Sequence, residues 1–322
     1  MNSLEYRVAN IVHHFMPFAK DITFNLFFIF KDPHKKYILG PLIGTHVNTA
    51  LFGEEKPTPA KFALISIIRS LAIRAAPKLL TYLSRWTLKN ADIILFSDNY
   101  ALNCYQSQLR KNQLIKVLGI GVDRDIFTRA KLPNLRQPNC LHVLFVGRLT
   151  ERKGGRYLIN AIAEVKKTQP DIMISCKFVG YGMQETELKR IAKNLNLSHQ
   201  ISFSGELKRN TGTVKYYQAC DVVCIPALSD TWVSAKEALC CGKPVIITNV
   251  ASHPEIVQDG INGYLVPIMD STAIAKKLVM LATSSRLLQR LSANAYRLAQ
   301  KRYNWGNIIN SYLSIVNNHA GS

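Results

Sequence analysis

Three loops in the carboxy-terminal half of this chain carry side chains suited to a charged, hydroxyl-bearing ligand. The first, Val146-Gly147-Arg148-Leu149-Thr150-Glu151-Arg152-Lys153-Gly154-Gly155, sets Arg148 and Lys153 between glycines. Glycine lets a ligand approach the backbone, and a following helix turns its free amides toward the loop. Two fixed cations complete a combination that suits a diphosphate, although any surface βα loop with two basic residues reads the same way. The second loop, Val179-Gly180-Tyr181-Gly182-Met183, holds a Gly-x-Gly spacing that is common in α/β turns and weak alone. Its weight comes from its place, one βα unit after the basic loop. The third runs from Pro226 through Ser229, Asp230 and Glu237 to Gly242. A helix is expected to start there with Glu237 in its first turn, where a carboxylate either favours the helix dipole or accepts two hydrogen bonds from a ribose diol.

The elements that must position these loops alternate in type. Short apolar runs at 142–146, 172–179, 201–204, 222–225, 244–248 and 264–266 read as buried strands. Amphipathic stretches at 155–168, 185–194, 215–220 and 235–240 read as helices between them. Such alternation makes βαβ units, hence a parallel sheet covered on both faces, with ligands bound outside the carboxyl ends of the strands. Residues 270–316 read as helical and are expected to pack on the same domain. The first 140 residues are less regular: strands are expected at 9–12, 36–39 and 92–96, with loops at His13-His14 and at Gly40-Pro41-Leu42-Ile43-Gly44. Phe62–Leu88 is apolar, basic and free of acids, and Pro77 predicts a kink or two helices within it. Arg74, Lys78, Arg85 and Lys89 fall within about a 60° sector of a helix, a pattern that suits either an anionic membrane surface or an ordinary solvated face.

Composition narrows the classes. With 322 residues, 48% of them apolar, the chain has room for two domains, here divided into residues 1–135 and 136–322. The net charge of +20 favours polyanionic partners in general. Aromatic residues are not interleaved with the basic ones as in stacking platforms, so no nucleic-acid partner is expected. The seven cysteines are odd in number and lack a C-x-x-C pair, which fits reduced core residues. No stretch has the roughly 18 uninterrupted apolar residues of a spanning helix, and the opening MNSLEYRVAN does not read as a secretory signal. A cytoplasmic location is expected, peripheral at the inner face of the membrane.

The order GRLTERKGG, FVGYG, ISFSGEL, SDTWVSAKEALCCGKPVI and HPEIVQDGINGYLVP, between Gly147 and Pro267, resembles the donor-binding domain of retaining GT-B-fold glycosyltransferases of family 4. The resemblance implies an α/β, GT-B-like fold of two Rossmann-type parallel-sheet domains. It implies that Gly147, Arg148 and Lys153 hold the donor diphosphate, with Gly180 on the same face. Gly205-Glu206-Leu207 would sit beside the base, Glu237 would bind the ribose, and His253-Pro254-Glu255 with the Gly260–Gly263 turn would shape that face. The family's Glu-x7-Glu pair is altered: eight residues before Glu237 lies Ser229, and Asp230 either reaches the donor sugar through a shifted loop or leaves that contact unmade. The amino-terminal half matches only in part, at Ala9–His14, Ile38–Pro41 and Val117–Asp123 with Phe127, so the chain is expected to begin midway through its first domain.

Enzymes of this kind are thought to need no protein nucleophile. The implied catalytic contribution is electrostatic stabilisation of the departing diphosphate by Arg148, Lys153 and helix amides, together with Glu237 and Asp230. No cofactor and no metal is demanded beyond the nucleotide-sugar donor. His14, with His13 and His46, either lies near the anomeric centre or is structural. The expected activity is that of a hexosyltransferase-type enzyme acting on a lipid-linked or polysaccharide acceptor at the membrane surface. The competing expectation is a non-catalytic fragment or subunit that keeps donor affinity.

Overall fold

Buried β-branched and aromatic runs separated by amphipathic stretches do assemble two parallel sheets. The computed structural model describes residues 11–14, 35–42, 77–130, 137–205 and 211–320. The chain forms two compact units: unit 1 comprises Met1–Ile120 with Gly306–Ser322, and unit 2 comprises Gly121–Trp305.

In unit 1 the sheet runs β1 (Ile11–His14), β2 (Lys36–Leu42), β3 (Ile93–Phe96), β4 (Leu114–Val117) in spatial order, all parallel. Side chains alternate across it as strand geometry requires. Tyr37, Leu39, Leu42, Ile94 and Phe96 face Leu88 of helix α1 (Pro77–Asn90) and Ala101 and Tyr105 of α2 (Asn99–Tyr105). Ile38, Ile93 and Leu95 face the other way, onto Leu114, Leu118 and Tyr312, Ile315 and Val316 of the last helix, α10 (Trp305–Ala320).

Three expectations change here. The last helix packs on unit 1 instead of the second domain, because its Tyr312-Ile315-Val316 stripe covers an apolar sheet face that would otherwise be bare. The unit boundary accordingly falls at Gly121, not near residue 135. Gly40-Pro41-Leu42 continues β2 instead of forming a loop. Gly40 (φ +119) passes so close to β3 that a Cβ would collide with the Leu95 carbonyl oxygen. Pro77 opens α1, where a missing N–H costs nothing; the stretch before it lies outside the described residues.

Unit 2 holds six parallel strands in the order β10-β9-β8-β5-β6-β7. They are β5 (Cys140–Val146), β6 (Met173–Val179), β7 (Ile201–Phe203), β8 (Val222–Ile225), β9 (Val245–Thr248) and β10 (Gly263–Val266). One face packs on α3 (Gly155–Thr168), α4 (Glu185–Asn194) and α8 (Ser271–Thr283), with Phe145, Phe178 and Phe203 stacked 4.9 and 5.0 Å apart across β5, β6 and β7. The other face packs on α5 (Thr211–Ala219), α6 (Val233–Cys240) and α9 (Ser285–Arg302). From β5 the chain moves outward to β6 and β7, then α5 carries it back across to β8. The reversal puts the topological switch point, and hence the expected crevice, at the carboxyl ends of β5 and β8.

Candidate functional site

The loops after β5, β6 and β7 are laced to one another through the backbone. Gly147 N–H donates to the Val179 carbonyl (3.0 Å), Leu149 N–H to Tyr181 (2.8 Å) and Gly180 N–H to Gly205 (3.1 Å). This lacing explains the Gly-x-Gly spacing. A Cβ on Gly180 (φ +135) would strike the Gly147 carbonyl, and one on Gly182 (φ +159) would strike that of Leu149. The pair therefore serves contact between loops, a packing demand that the spacing alone does not reveal.

Beyond Gly147 the basic loop makes a single 3-10 turn, Glu151–Lys153, closed by Gly154 in the left-handed region before α3 begins. Arg148 is exposed. Arg152 and Lys153 reach across to the loop after β8: Arg152 Nη1 donates to Ser229 Oγ (3.1 Å) and Lys153 Nζ to Thr231 Oγ1 (2.6 Å). The Arg152 carbonyl accepts from Leu228 N–H (2.8 Å), so the two loops are joined through backbone as well.

That second loop is fixed from below by α7 (His253–Ile256). His253 Nε2 accepts from Thr231 N–H (2.9 Å), while Nδ1 lies 2.8 Å from the Thr248 carbonyl, to which it donates. A nitrogen that accepts carries no proton, and burial pushes His253 down to about 4, so the imidazole is neutral. The 3.7 Å approach of Asp230 Oδ1 to Nε2 is therefore not an ion pair. Asp230 Oδ1 accepts from Ser252 Oγ (2.7 Å) and Ser229 is fully buried, so both residues of the altered motif are engaged within the loop.

Glu237 is the fifth residue of α6, whose first turn has no acid, and this corrects the first-turn expectation. The helix starts two residues early because Lys236 folds back between the rings of Trp232 (4.7 Å) and Tyr303 (5.2 Å), and Ser234 Oγ ties its first turn to the Val146 carbonyl (3.2 Å). Glu237 Oε2 accepts from the buried Tyr217 hydroxyl (2.7 Å), and burial raises its carboxyl to about 7 despite that bond.

Gly147, Arg148, Lys153, Gly180, Gly205, Ser229, Asp230 and Glu237 thus share the carboxyl edge of one sheet. Leu207, Glu206, His46 and the side chains of His13 and His14 lie outside the described residues. Arg152, Tyr217, Thr231 and Ser252 join the site without having been singled out in sequence, and only their place on the same loops and helices hinted at them. Asp123-Arg124-Asp125 has an Asp-x-Asp spacing, but Asp123 Oδ1 accepts from the amides of Asp125 (3.1 Å) and Ile126 (3.3 Å) and shapes a turn. Among the described residues no group of three acidic, His or Cys side chains could hold a metal ion.

Comparison with known proteins points the same way. The family model described as glycosyl transferases group 1 matches residues 130–298. An uncharacterized glycosyltransferase of Methanocaldococcus jannaschii is 28% identical over 174 residues, which cover 54% of this chain and 44% of that protein. The chain spans about half the length of the curated relatives it matches. The C-terminal domain of a glycosyl transferase group 1 family protein from Francisella tularensis is 28% identical with a TM-score of 0.52, covering 57% of this chain and 100% of that domain. A sucrose-phosphate synthase from Thermosynechococcus elongatus shares the fold at 20% identity and a TM-score of 0.67, covering 89% of this chain and 69% of that one.

Proposed function

We propose that this chain, which belongs to the glycosyl transferases group 1 family, moves a sugar from a nucleotide-diphosphate donor to a glycan or glycolipid acceptor with retention of anomeric configuration. The carboxyl edge of unit 2 would hold the donor. The observation that carries this reading is the cross-linking of the basic loop to the loop that starts α6: Lys153 bonds Thr231, and Glu237 follows six residues later on that helix. In this reading the diphosphate lies against Arg148, Lys153 and the amides that open α3, and the ribose diol donates to Glu237. Lys153 exchanges its bond to Thr231 for one to the phosphate.

The reaction breaks the bond between the anomeric carbon and the diphosphate oxygen. The acceptor hydroxyl attacks from the same face and passes its proton to the departing phosphate, so no protein nucleophile takes part. Negative charge grows on the leaving group, and fixed cations and amides lower the barrier by stabilising it there. An acceptor at the cytoplasmic membrane surface accords with the net charge of +20 and with the exposed Arg85 and Lys89 of α1. Among the described residues no helix is long and apolar enough to cross a membrane.

The test is incubation with UDP- and GDP-hexoses, with a membrane extract as acceptor source, following diphosphate release by phosphorus NMR and product configuration by proton NMR. Release with retention supports the reading, and inversion overturns it. A second reading, a nucleotide-sugar-binding subunit without turnover, is favoured by the engagement of Asp230 with Ser252. Donor binding without release would select it.

A further inference from the structure

Because α5 carries the chain from β7 back to β8, it crosses β5 and leaves the outer strands of that face without a helix of their own. The sequence answers with polar residues on that face alone. His142 of β5 is in register with Ser175 of β6, and Lys177 of β6 with Ser202 of β7, while their neighbours on the opposite face are apolar core residues. A cavity of about 360 Å³ lies over this patch, walled by α5 and by the turn that holds His199 and Gln200. It sits over the amino-terminal half of β5 and the middle of β6, away from the glycine-laced loops at the carboxyl edge.

The chemistry of the lining is one-sided. His142, Lys177 and His199 contribute three basic groups, and no carboxylate is among the lining residues. The nearby Asp221 spends one carboxylate oxygen on the His142 N–H (2.8 Å). Lys177 is half-buried and makes no hydrogen bond or ion pair among the described residues. His142 Nδ1 and Ser175 Oγ hold each other at 2.6 Å, which orients the imidazole against the patch. A purely solvated sheet face would explain the serines, but not the gathering of three basic groups without a carboxylate around one half-open hollow.

We infer that this cavity is a second ligand site, separate from the donor edge, for a small phosphorylated compound that also carries hydroxyl groups. The phosphate would meet Lys177 and His199, and the hydroxyl groups would meet Ser175 and Ser202, which line the same cavity. The volume lies at the lower end of small-molecule pockets, enough for a pentose phosphate.

Ribose 5-phosphate is the probe, titrated into the full chain with the histidine ring signals followed by NMR. Saturable binding is expected, at least tenfold tighter than that of ribose or inorganic phosphate alone, and unchanged by saturating UDP. Lys177→Gln combined with His199→Gln should weaken it at least tenfold. Ser202→Glu, an exposed change that sets a carboxylate in the cavity, should do the same and guards against a folding defect in the double variant. Absence of saturation, equal binding by both variants, or displacement by UDP would overturn the inference.

Discussion

Asp92 in unit 1 and Asp221 in unit 2 make the same pair of hydrogen bonds. Each stands just before a strand, β3 or β8. Each accepts from a backbone N–H of the neighbouring strand, Tyr37 or His142, at 2.8 Å. Each returns its own N–H to that residue's carbonyl, at 2.9 and 2.8 Å. At their amino-terminal edges the two sheets are thus closed by one device, and a carboxylate there serves the register of the strands. The opposite edge of unit 2 is built differently: Arg152, Lys153, Asp230 and His253 bind loops instead of strands, and Arg148 and Glu237 stand beside them. The lesson is that a buried polar group is interpreted by which edge of a parallel sheet it occupies, since ligands lie outside the carboxyl ends.

The contrast makes predictions that can break it. Arg148→Ala should lower turnover about a hundredfold, as loss of one group that stabilises leaving-group charge does. Its melting temperature should stay within a degree or so of the parent, because the side chain is exposed. Asp221→Ala should behave in the reverse sense. Urea unfolding should report a loss of about 1–3 kcal/mol from an unsatisfied backbone N–H, with donor affinity within about twofold. Equal damage to both properties in either variant would erase the distinction between the edges.

Glu237 sharpens it further through pH. Its carboxyl is raised to about 7 by burial, above the unfolded value near 4.3. The native state therefore holds this proton more tightly. Its contribution to stability is complete below the unfolded pKa and is lost as pH rises through 7. Relative to Glu237→Gln, the parent should lose about 3 kcal/mol between about pH 4.5 and 7.5, measured by denaturation at each pH. Affinity for an intact nucleotide sugar should move oppositely, rising from pH 6 to 8 in the parent as the carboxylate forms, and staying flat in the variant. The smallest effect is expected in unit 1: Arg85→Gln with Lys89→Gln should weaken sedimentation with phosphatidylserine vesicles a few-fold, and less so at higher salt.

Much of unit 2 was legible in sequence because its strands β8 and β9 are buried on both faces and so appear as uninterrupted apolar runs, Val222–Ile225 and Val245–Thr248. The loops after them could then be placed on one edge by topology alone. Unit 1 was harder: β4 has the sequence Leu-Ile-Lys-Val with half-exposed and exposed positions, which lacks both the apolar run and the alternation of a strand. The docking of α10 on unit 1 was illegible because helix periodicity reveals an apolar stripe without saying which sheet receives it. Within the site, the side-chain couplings were hidden by distance along the chain. Lys153 and Thr231 are 78 residues apart, and Tyr217 and Glu237 are 20 apart on different helices. Glu237 was visible as a carboxylate on a helix, but its raised pKa depends on a burial that no local pattern encodes.

The central claim is that the carboxyl edge of unit 2 binds a nucleoside diphosphate, and calorimetric titration with UDP and GDP tests it most directly. The parent should bind at least one of the two. Lys153→Ala and Glu237→Ala should each weaken that binding at least tenfold, about 1.4 kcal/mol, while Asp221→Ala leaves it in place. A parent that binds neither nucleotide, or variants that bind as the parent does, would contradict the account.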